Sequence, residues 1–180
     1  MRKLQMDELN RKTVAEFKRA EKIPLVAVLE NIRSAYNVGS VFRTADAFLI
    51  EAIYLTGYTA CPPHKEIKKT ALGAEETVDF NYFNNAPAAI AALKGRGYKV
   101  YAVEQVEQSI SLEKMTMGPD EKVAVVFGNE VSGVEADTIA LCDGCIEIPQ
   151  LGMKHSLNIA TAAGVVLWEL IRNSIHQHQP

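Results

Sequence analysis

Lys122-Val-Ala-Val-Val-Phe-Gly-Asn-Glu130 is the stretch whose reading decides the fold. Its five consecutive apolar residues, three valines and a phenylalanine among them, show no polar alternation, so the run suits a strand covered on both faces. Gly128 and two polar residues then stop it. Working outward, residues 24–29, 52–56, 98–103 and 145–148 repeat the pattern of short apolar runs, and residues 76–80 suit a short third strand. Between these runs the spacing changes from strand to helix. Asn37-Val-Gly-Ser40 supplies turn and capping residues, after which Val41, Phe42, Ala45 and Phe48 recur at helical spacing. Residues 87–94, 134–141 and 157–173 also read as helices, and Pro62, Pro63 and the lysines to Lys69 as a loop. Strands alternating with helices predict an α/β fold, a mostly parallel sheet with helices on both faces. Ligands in such sheets bind beyond the carboxyl ends of the strands. Three polar loops lie there, at residues 31–39, 128–133 and 150–158.

The chain has 180 residues, 48% hydrophobic and 23% charged, which excludes a disordered polymer and fits one domain. We divide it into an N-terminal helical segment (1–23, with Leu4, Leu9, Val14 and Phe17 on one face), a body (24–174) and a C-terminal tail (175–180). No apolar run is long enough for a membrane span and no signal-peptide core follows Met1, so a cytoplasmic protein is expected. The net charge of -3 is unevenly spread. Residues 1–22 carry seven basic and four acidic side chains, and the Lys65-Glu-Ile-Lys-Lys69 run adds more positive charge. An acidic total therefore does not exclude RNA, because phosphate binding depends on local patches. Charge alone favours a solvated surface.

Cys61, Cys142 and Cys145 are too few for a disulfide framework. Cys142-Asp-Gly-Cys145 has the spacing of a redox or half-zinc motif, yet no second pair completes a tetrahedral site, and a structural turn leading into a strand is the preferred reading. The four histidines, at positions 64, 155, 176 and 178, show no metal-ligand spacing, so no metal is expected. Nucleotide fingerprints (G-x-G-x-x-G, G-x-x-x-x-G-K-[ST]) and the G-x-S-x-G elbow are all missing. Chemistry is left to Asn, Ser, Glu and Arg in the loops.

Those loops carry a family resemblance. Asn31-Ile-Arg-Ser-Ala-Tyr-Asn37-Val-Gly39-Ser-Val-Phe-Arg43-Thr-Ala-Asp-Ala-Phe48 resembles the first motif of the SpoU (TrmH-like) RNA ribose methyltransferases of the SPOUT superfamily. Phe127-Gly-Asn-Glu-Val-Ser-Gly133 resembles the second, and Ile148-Pro-Gln-Leu-Gly-Met-Lys-His-Ser156-Leu-Asn158-Ile-Ala-Thr-Ala-Ala163 the third. Lys69-Thr-Ala-Leu-Gly-Ala-Glu75 is a fourth, weaker match. Asn and Gly are common turn and cap residues, so each motif alone is weak; three in order, each after a strand, are strong. Leu49, Gln150 and Ala160 stand where glycine, methionine and serine are frequent.

The resemblance implies S-adenosylmethionine-dependent methylation of a ribose 2′-hydroxyl in tRNA or rRNA, a homodimer, and a deep trefoil knot in the C-terminal part. Strand order alone would never suggest the knot, since knots are nearly absent from ordinary folds. Arg43 is the expected catalytic residue. An arginine is a poor base, so it is expected to stay charged, grip a phosphate and stabilise the developing alkoxide. Asn37, Glu130, Ser156 and Asn158 are expected to orient Arg43, the ribose and the loops. Glu130 could instead act as general base, and Ser156 and Asn158 could simply cap the last helix. Gly128, Asn129, Ile148, Gly152 and Leu157 are expected to hold the cofactor. RNA contacts are expected at Arg33, at Arg11, Lys12, Lys18 and Arg19, and at Lys65, Lys68 and Lys69. The small residues and Trp168 of the last helix suit a core or a dimer contact, and the resemblance favours the dimer. Larger rRNA-directed relatives carry an extra N-terminal domain for which residues 1–23 are too few, which tilts the expectation towards tRNA. The rival reading is a catalytically idle RNA-binding or assembly protein with the same fold.

Overall fold

In the computed structural model, residues 1–9, 11–118 and 120–173 are described. The expected tail at 175–180, with His176 and His178, lies outside them. A 3-10 turn (Met6–Leu9) and α1 (Val14–Arg19) precede β1 (Ile23–Glu30), α2 (Ala35–Ala47) and β2 (Ile50–Thr56). Next come α3 (Lys65–Ala71), α4 (Ala74–Thr77), β3 (Asp79–Phe83), α5 (Ala86–Gly95) and β4 (Lys99–Val103). After a two-residue β5 (Ile110–Ser111) the chain continues through β6 (Val123–Phe127), α6 (Ala136–Leu141), β7 (Gly144–Glu147) and α7 (Ile159–Ile171).

The seven strands form one sheet in the order β3-β2-β1-β6-β4-β7-β5, and every pairing between named strands is parallel. The run at 123–127 lies against β1, with Leu25 opposite Val123 and Leu29 opposite Phe127. Side chains alternate across the pleat. Leu25, Ala27, Leu29, Val125 and Phe127 enter one core with Phe42 of α2 and Leu167 of α7. Val26, Val28, Ala124 and Val126 enter the other with Ala89 and Leu93 of α5. Both faces are thus covered, which is why β1 and β6 read as unbroken apolar runs. Each buried Val, Leu or Phe among them contributes about 1.5 to 3 kcal/mol, and each Ala less.

Several local expectations need correction. The N-terminal segment is two short pieces instead of one amphipathic helix, because Thr13 and Glu16 form a capping box that starts α1 afresh. Of its presumed apolar face only Phe17 is buried, while Leu4, Leu9 and Val14 are exposed. Helix α2 starts at Ala35, with Ser34 accepting from the Asn37 N–H as N-cap, so residues 37–40 are helix and not turn. Gly39 serves a close approach instead. A methyl group there would meet Thr70 Oγ1 at 2.2 Å and the Ile67 carbonyl oxygen at 2.4 Å, where α3 crosses α2. The lysine-rich stretch at 65–69 is itself that helix, capped by His64 and anchored by buried Ile67 and Ala71. The third strand begins three residues later than expected, because residues 74–77 form α4.

Because the strands run one way, the loops after β1, β6 and β7 open at one end of the sheet. Helix α1 precedes the first residue of β1 and lies against α4, at the other end. No helix among the described residues is long and apolar enough to cross a membrane.

Candidate active site

Glu130, three residues beyond the end of β6, is where the loops meet. Its carboxylate accepts the backbone N–H groups of Arg33 (2.9 Å) and Ser34 (3.1 Å) and the side-chain amide of Asn37 (3.0 Å). The Asn37 carbonyl oxygen in turn accepts Asn158 Nδ2 at 3.2 Å. Asn158 is also the N-cap of α7, its Oδ1 accepting from Ala160 and Thr161 at 2.9 and 3.4 Å. One chain of hydrogen bonds therefore joins the loops after β1, β6 and β7, and Asn158 both caps and connects. Burial would raise the pKa of Glu130, but the N–H donors of Arg33, Glu130 itself, Asn37 and Ser34 outweigh it and hold the carboxyl below its usual range. A carboxylate so occupied is a weak proton acceptor, which disfavours the general-base reading.

Buried Asn129 locks the same loop. Its Nδ2 donates to the Asn31 carbonyl and to Tyr58 Oη, both at 2.7 Å, while Oδ1 accepts from Val131 at 2.8 Å and Ser132 at 3.1 Å. All its polar capacity is used, as burial requires. At the loop's far side Glu104, following β4, accepts the Val134 N–H at 3.0 Å. Gly128 is pressed against the loop's return, and a Cβ there would lie 2.1 Å from the Gly133 carbonyl carbon.

Beside this loop opens a cleft of ≈ 500 Å³. Gly128, Asn129, Ile148, Ser156 and Leu157 line it, whereas Gly152 does not. Val103, Phe127 and Ile146 give apolar walls that suit a flat ring, and Glu104, Glu130 and Glu147 line the cleft with no lysine or arginine among the described residues. That donor set fits a ligand carrying positive charge.

Arg43 lies elsewhere. It is exposed on α2, in a second hollow of ≈ 480 Å³ with Ser40, Thr44, Phe48, Lys69 and Thr70. Six residues from Asn37 correspond to about 120° around the helix and about 9 Å along it. Among the described residues its guanidinium bonds none of the groups expected to orient it, and Glu130 grips the backbone at Arg33 instead. The expected RNA contacts also separate. Arg33, Lys65, Lys68 and Lys69 lie towards the loop end, all exposed. Arg11, Lys12, Lys18 and Arg19 precede β1, whose eight residues span about 26 Å at ~3.3 Å each. Within one chain these are two patches.

Cys142 caps the end of α6 and Cys145 is the second residue of β7, both as free thiols. Burial, then Cys145 nearby, pushes the Cys142 thiol up to about 12, and burial raises Cys145 as well. Neither is poised as a thiolate, in keeping with a structural turn. Sequence reading missed Asn31, Tyr58 and Glu104. The rule that places ligands at strand ends would have found Glu104, one residue past β4; Asn31 and Tyr58 carry only the signal of turn residues.

Comparison with known proteins agrees with this geometry. A tRNA (guanosine(18)-2'-O)-methyltransferase of Thermus thermophilus is 32% identical over 168 residues, covering 93% of this chain and 84% of its own. The 23S rRNA (guanosine-2'-O-)-methyltransferase RlmB of Vibrio parahaemolyticus is 30% identical over 169 residues, covering 93% of this chain and 67% of its own. The crystal structure of an AdoMet-bound rRNA methyltransferase from Sinorhizobium meliloti superposes with a TM-score of 0.77 at 25% identity, over 86% of this chain and 61% of that one. The sequence pattern of the SpoU rRNA Methylase family matches residues 24–168. That span holds all three loops that meet at Glu130, and the chain belongs to the SpoU rRNA Methylase family.

Proposed function

We propose that this chain is an S-adenosylmethionine-dependent methyltransferase that modifies a ribose 2′-hydroxyl in RNA, with tRNA favoured over rRNA. The observation that carries this reading is the Asn158–Asn37–Glu130 chain of hydrogen bonds beside a cleft with three carboxylates and, among the described residues, no lysine or arginine. S-adenosylmethionine, when bound, supplies a methyl group activated by its positive sulfonium. The protein's own residues have the remaining tasks of holding and orienting. Gly128, Ile148 and Leu157 offer backbone and apolar contacts in the cleft, and Glu104 and Glu147 offer negative charge. Arg43 grips a phosphate of the RNA through its guanidinium fork and stabilises negative charge on the ribose oxygen. Glu130 and Asn37 hold the loops in register, and Ser156 lies at the cleft edge.

The relatives named above support ribose as the target, and the larger share of the tRNA enzyme that the chain covers supports tRNA. We place the catalytic domain at 24–174 and RNA contact on segment 1–23, and infer a cytoplasmic protein. The same family reading carries a deep trefoil knot in the C-terminal part, for which the interleaved order β6-β4-β7 is the supporting feature. It also carries a homodimer. Trp168, 49% exposed, and Val165 stand beside Phe48 and Pro149 in a shallow apolar hollow on α7, a surface that suits a second copy. Arg43, outside its own cleft, would then serve at the interface.

The test is transfer of labelled methyl from S-adenosylmethionine to purified tRNA and rRNA, followed by mapping of alkali-stable sites. Ribose methylation in tRNA is the expected result. An idle RNA-binding protein would bind RNA without binding the methyl donor, and that outcome would overturn the proposal.

A further inference from the structure

Three large tyrosines stand exposed towards the loop end of the sheet, and beyond the hydroxyl bond of Tyr58 to Asn129 their rings have no role in the reading above. Tyr58, 62% exposed, follows β2; Tyr82, 51% exposed, is in β3; Tyr36 is on the first turn of α2. Tyr58 is held in place although its ring faces solvent. Its hydroxyl accepts from Asn129 at 2.7 Å and its N–H donates to Asn31 Oδ1 at 3.4 Å. The next residue, buried Thr59, accepts the Ile32 N–H at 2.9 Å and donates to the Leu29 carbonyl at 3.0 Å. On the other side Tyr82 Oη donates to the Gly57 carbonyl at 2.9 Å. The turn that presents the ring is therefore fastened to β1, β3 and the Asn129 loop. A ring so exposed adds little to the core, yet its position is fixed at both ends.

The surrounding charge differs between the two ends of the sheet. At the amino end, Lys94, Arg96 and Lys99 are paired with Asp143, Glu51 and Glu121. Towards the carboxyl end, Arg33, Lys65, Lys68 and Lys69 have no carboxylate partner among the described residues. Lys69 Nζ sits 5.8 Å from the centroid of the Tyr36 ring. Cations without carboxylate partners and exposed aromatic rings at the same end of a sheet suit single-stranded nucleic acid, with phosphates on the cations and bases on the rings.

We infer that the Tyr58 ring is a stacking platform for an unpaired base of the RNA, held beside the loop that carries Asn129 and Glu130. This rests on the RNA reading proposed above. Stacking on a pre-fixed ring forms no covalent bond and tolerates any base, so Tyr58 selects for an unpaired nucleotide instead of for a sequence. A base in a duplex cannot offer its face to the ring without leaving its own stack.

The test measures binding of a short, unpaired, mixed-sequence oligoribonucleotide and of its duplex by the full chain and by Tyr58→Phe, Tyr58→Trp and Tyr58→Leu. Phe and Trp keep the stack and should bind the single strand within about twofold of the natural chain. Leu should weaken that binding about tenfold, or about 1.4 kcal/mol, relative to Phe, which loses the same hydroxyl bond to Asn129, while duplex binding stays unchanged. The Tyr58→Trp indole should also lose emission when the single strand is added. Unchanged single-strand binding by Tyr58→Leu would overturn the inference, and so would an unresponsive indole. Equal losses in Tyr58→Phe and Tyr58→Leu would overturn it too, because the hydroxyl bond to Asn129 would then be the whole role. Methyl-donor affinity should be equal in Tyr58→Phe and Tyr58→Leu, which both lack the bond to Asn129, so the difference between them in single-strand binding reports the ring alone. Methyl transfer by the natural chain is measured separately: if it fails while Tyr58 stacks, the enzyme reading falls and the platform stands.

Discussion

Replacing Glu130 by Gln removes a charge with almost no change in shape. The carboxylate offers two oxygens to three donors, Arg33 N–H, Ser34 N–H and Asn37 Nδ2. An amide that keeps its oxygen on Ser34 and Asn37 turns its NH2 group towards the Arg33 N–H, donor against donor. One charge-assisted hydrogen bond is lost and two are weakened. Such bonds are worth about 1.5 to 3 kcal/mol, and because Glu130 is solvent-exposed, screening and replacement by water reduce the net loss to about 1 to 2 kcal/mol. For a chain of this size that lowers Tm by about 2 to 8 °C. The pH dependence has a definite sign. A carboxyl held below its usual range stabilises the fold fully above its unfolded pKa and loses that contribution as pH falls through its folded value. The gap in Tm between the natural chain and the Glu130→Gln variant should be full at neutral pH and close in acid. Thermal unfolding followed by circular dichroism across pH measures it. No gap at neutral pH, or one that persists unchanged in strong acid, refutes the reasoning. Turnover adds a second reading, since loss of a general base would remove one limb of the pH-rate profile, whereas loss of loop register lowers it at every pH.

Arg43→Lys should retain methyl-donor binding by calorimetry and lose most turnover, because an ammonium cannot form the bidentate grip; near-normal methylation would reject the assignment. Gly128→Ala forces a methyl into the Gly133 backbone, which cannot step aside as a side-chain tip can, so methyl-donor affinity should fall at least about tenfold at unchanged RNA affinity. Asn158→Ala removes the α7 cap and the bond to Asn37 together and should cost about 1 to 2 kcal/mol in urea unfolding, with Asn158→Ser recovering only the cap part. Alkylation of Cys142 at mildly alkaline pH should be far slower than that of a free model thiol, since burial keeps it protonated.

The sheet was legible because burial on both faces leaves β1 and β6 no room for polar residues. What the pattern could not show was α3. Its exposed lysines and the preceding prolines read as loop, and only two buried side chains, Ile67 and Ala71, betray the helix. Gly39 was visible as a glycine but not as a contact, because the partner that requires it lies some thirty residues on, at Ile67 and Thr70. At the candidate site, order along the chain singled out Asn37, Glu130 and Asn158, and the hydrogen bonds that join them depend on three strands ending together. Arg43 shares a motif with Asn37, yet helix geometry turns it away from the cleft, a separation invisible in linear spacing.

The pairing of β1 with β6 also shapes how the chain is made. Leu25 waits for Val123, and Leu29 for Phe127. During synthesis β2 and β3 emerge early and can join β1 on one side, while its other edge, among the most apolar in the molecule, stays open until residue 127 has left the ribosome. Pairings this distant in sequence form slowly, and an open apolar edge invites association in the meantime. Truncations ending before 123 should therefore aggregate or occupy chaperones. The strand that completes the centre of the sheet also ends directly in Gly128, Asn129 and Glu130, so the nascent chain gains its protected core and the loop where the strand-end hydrogen bonds meet in one step.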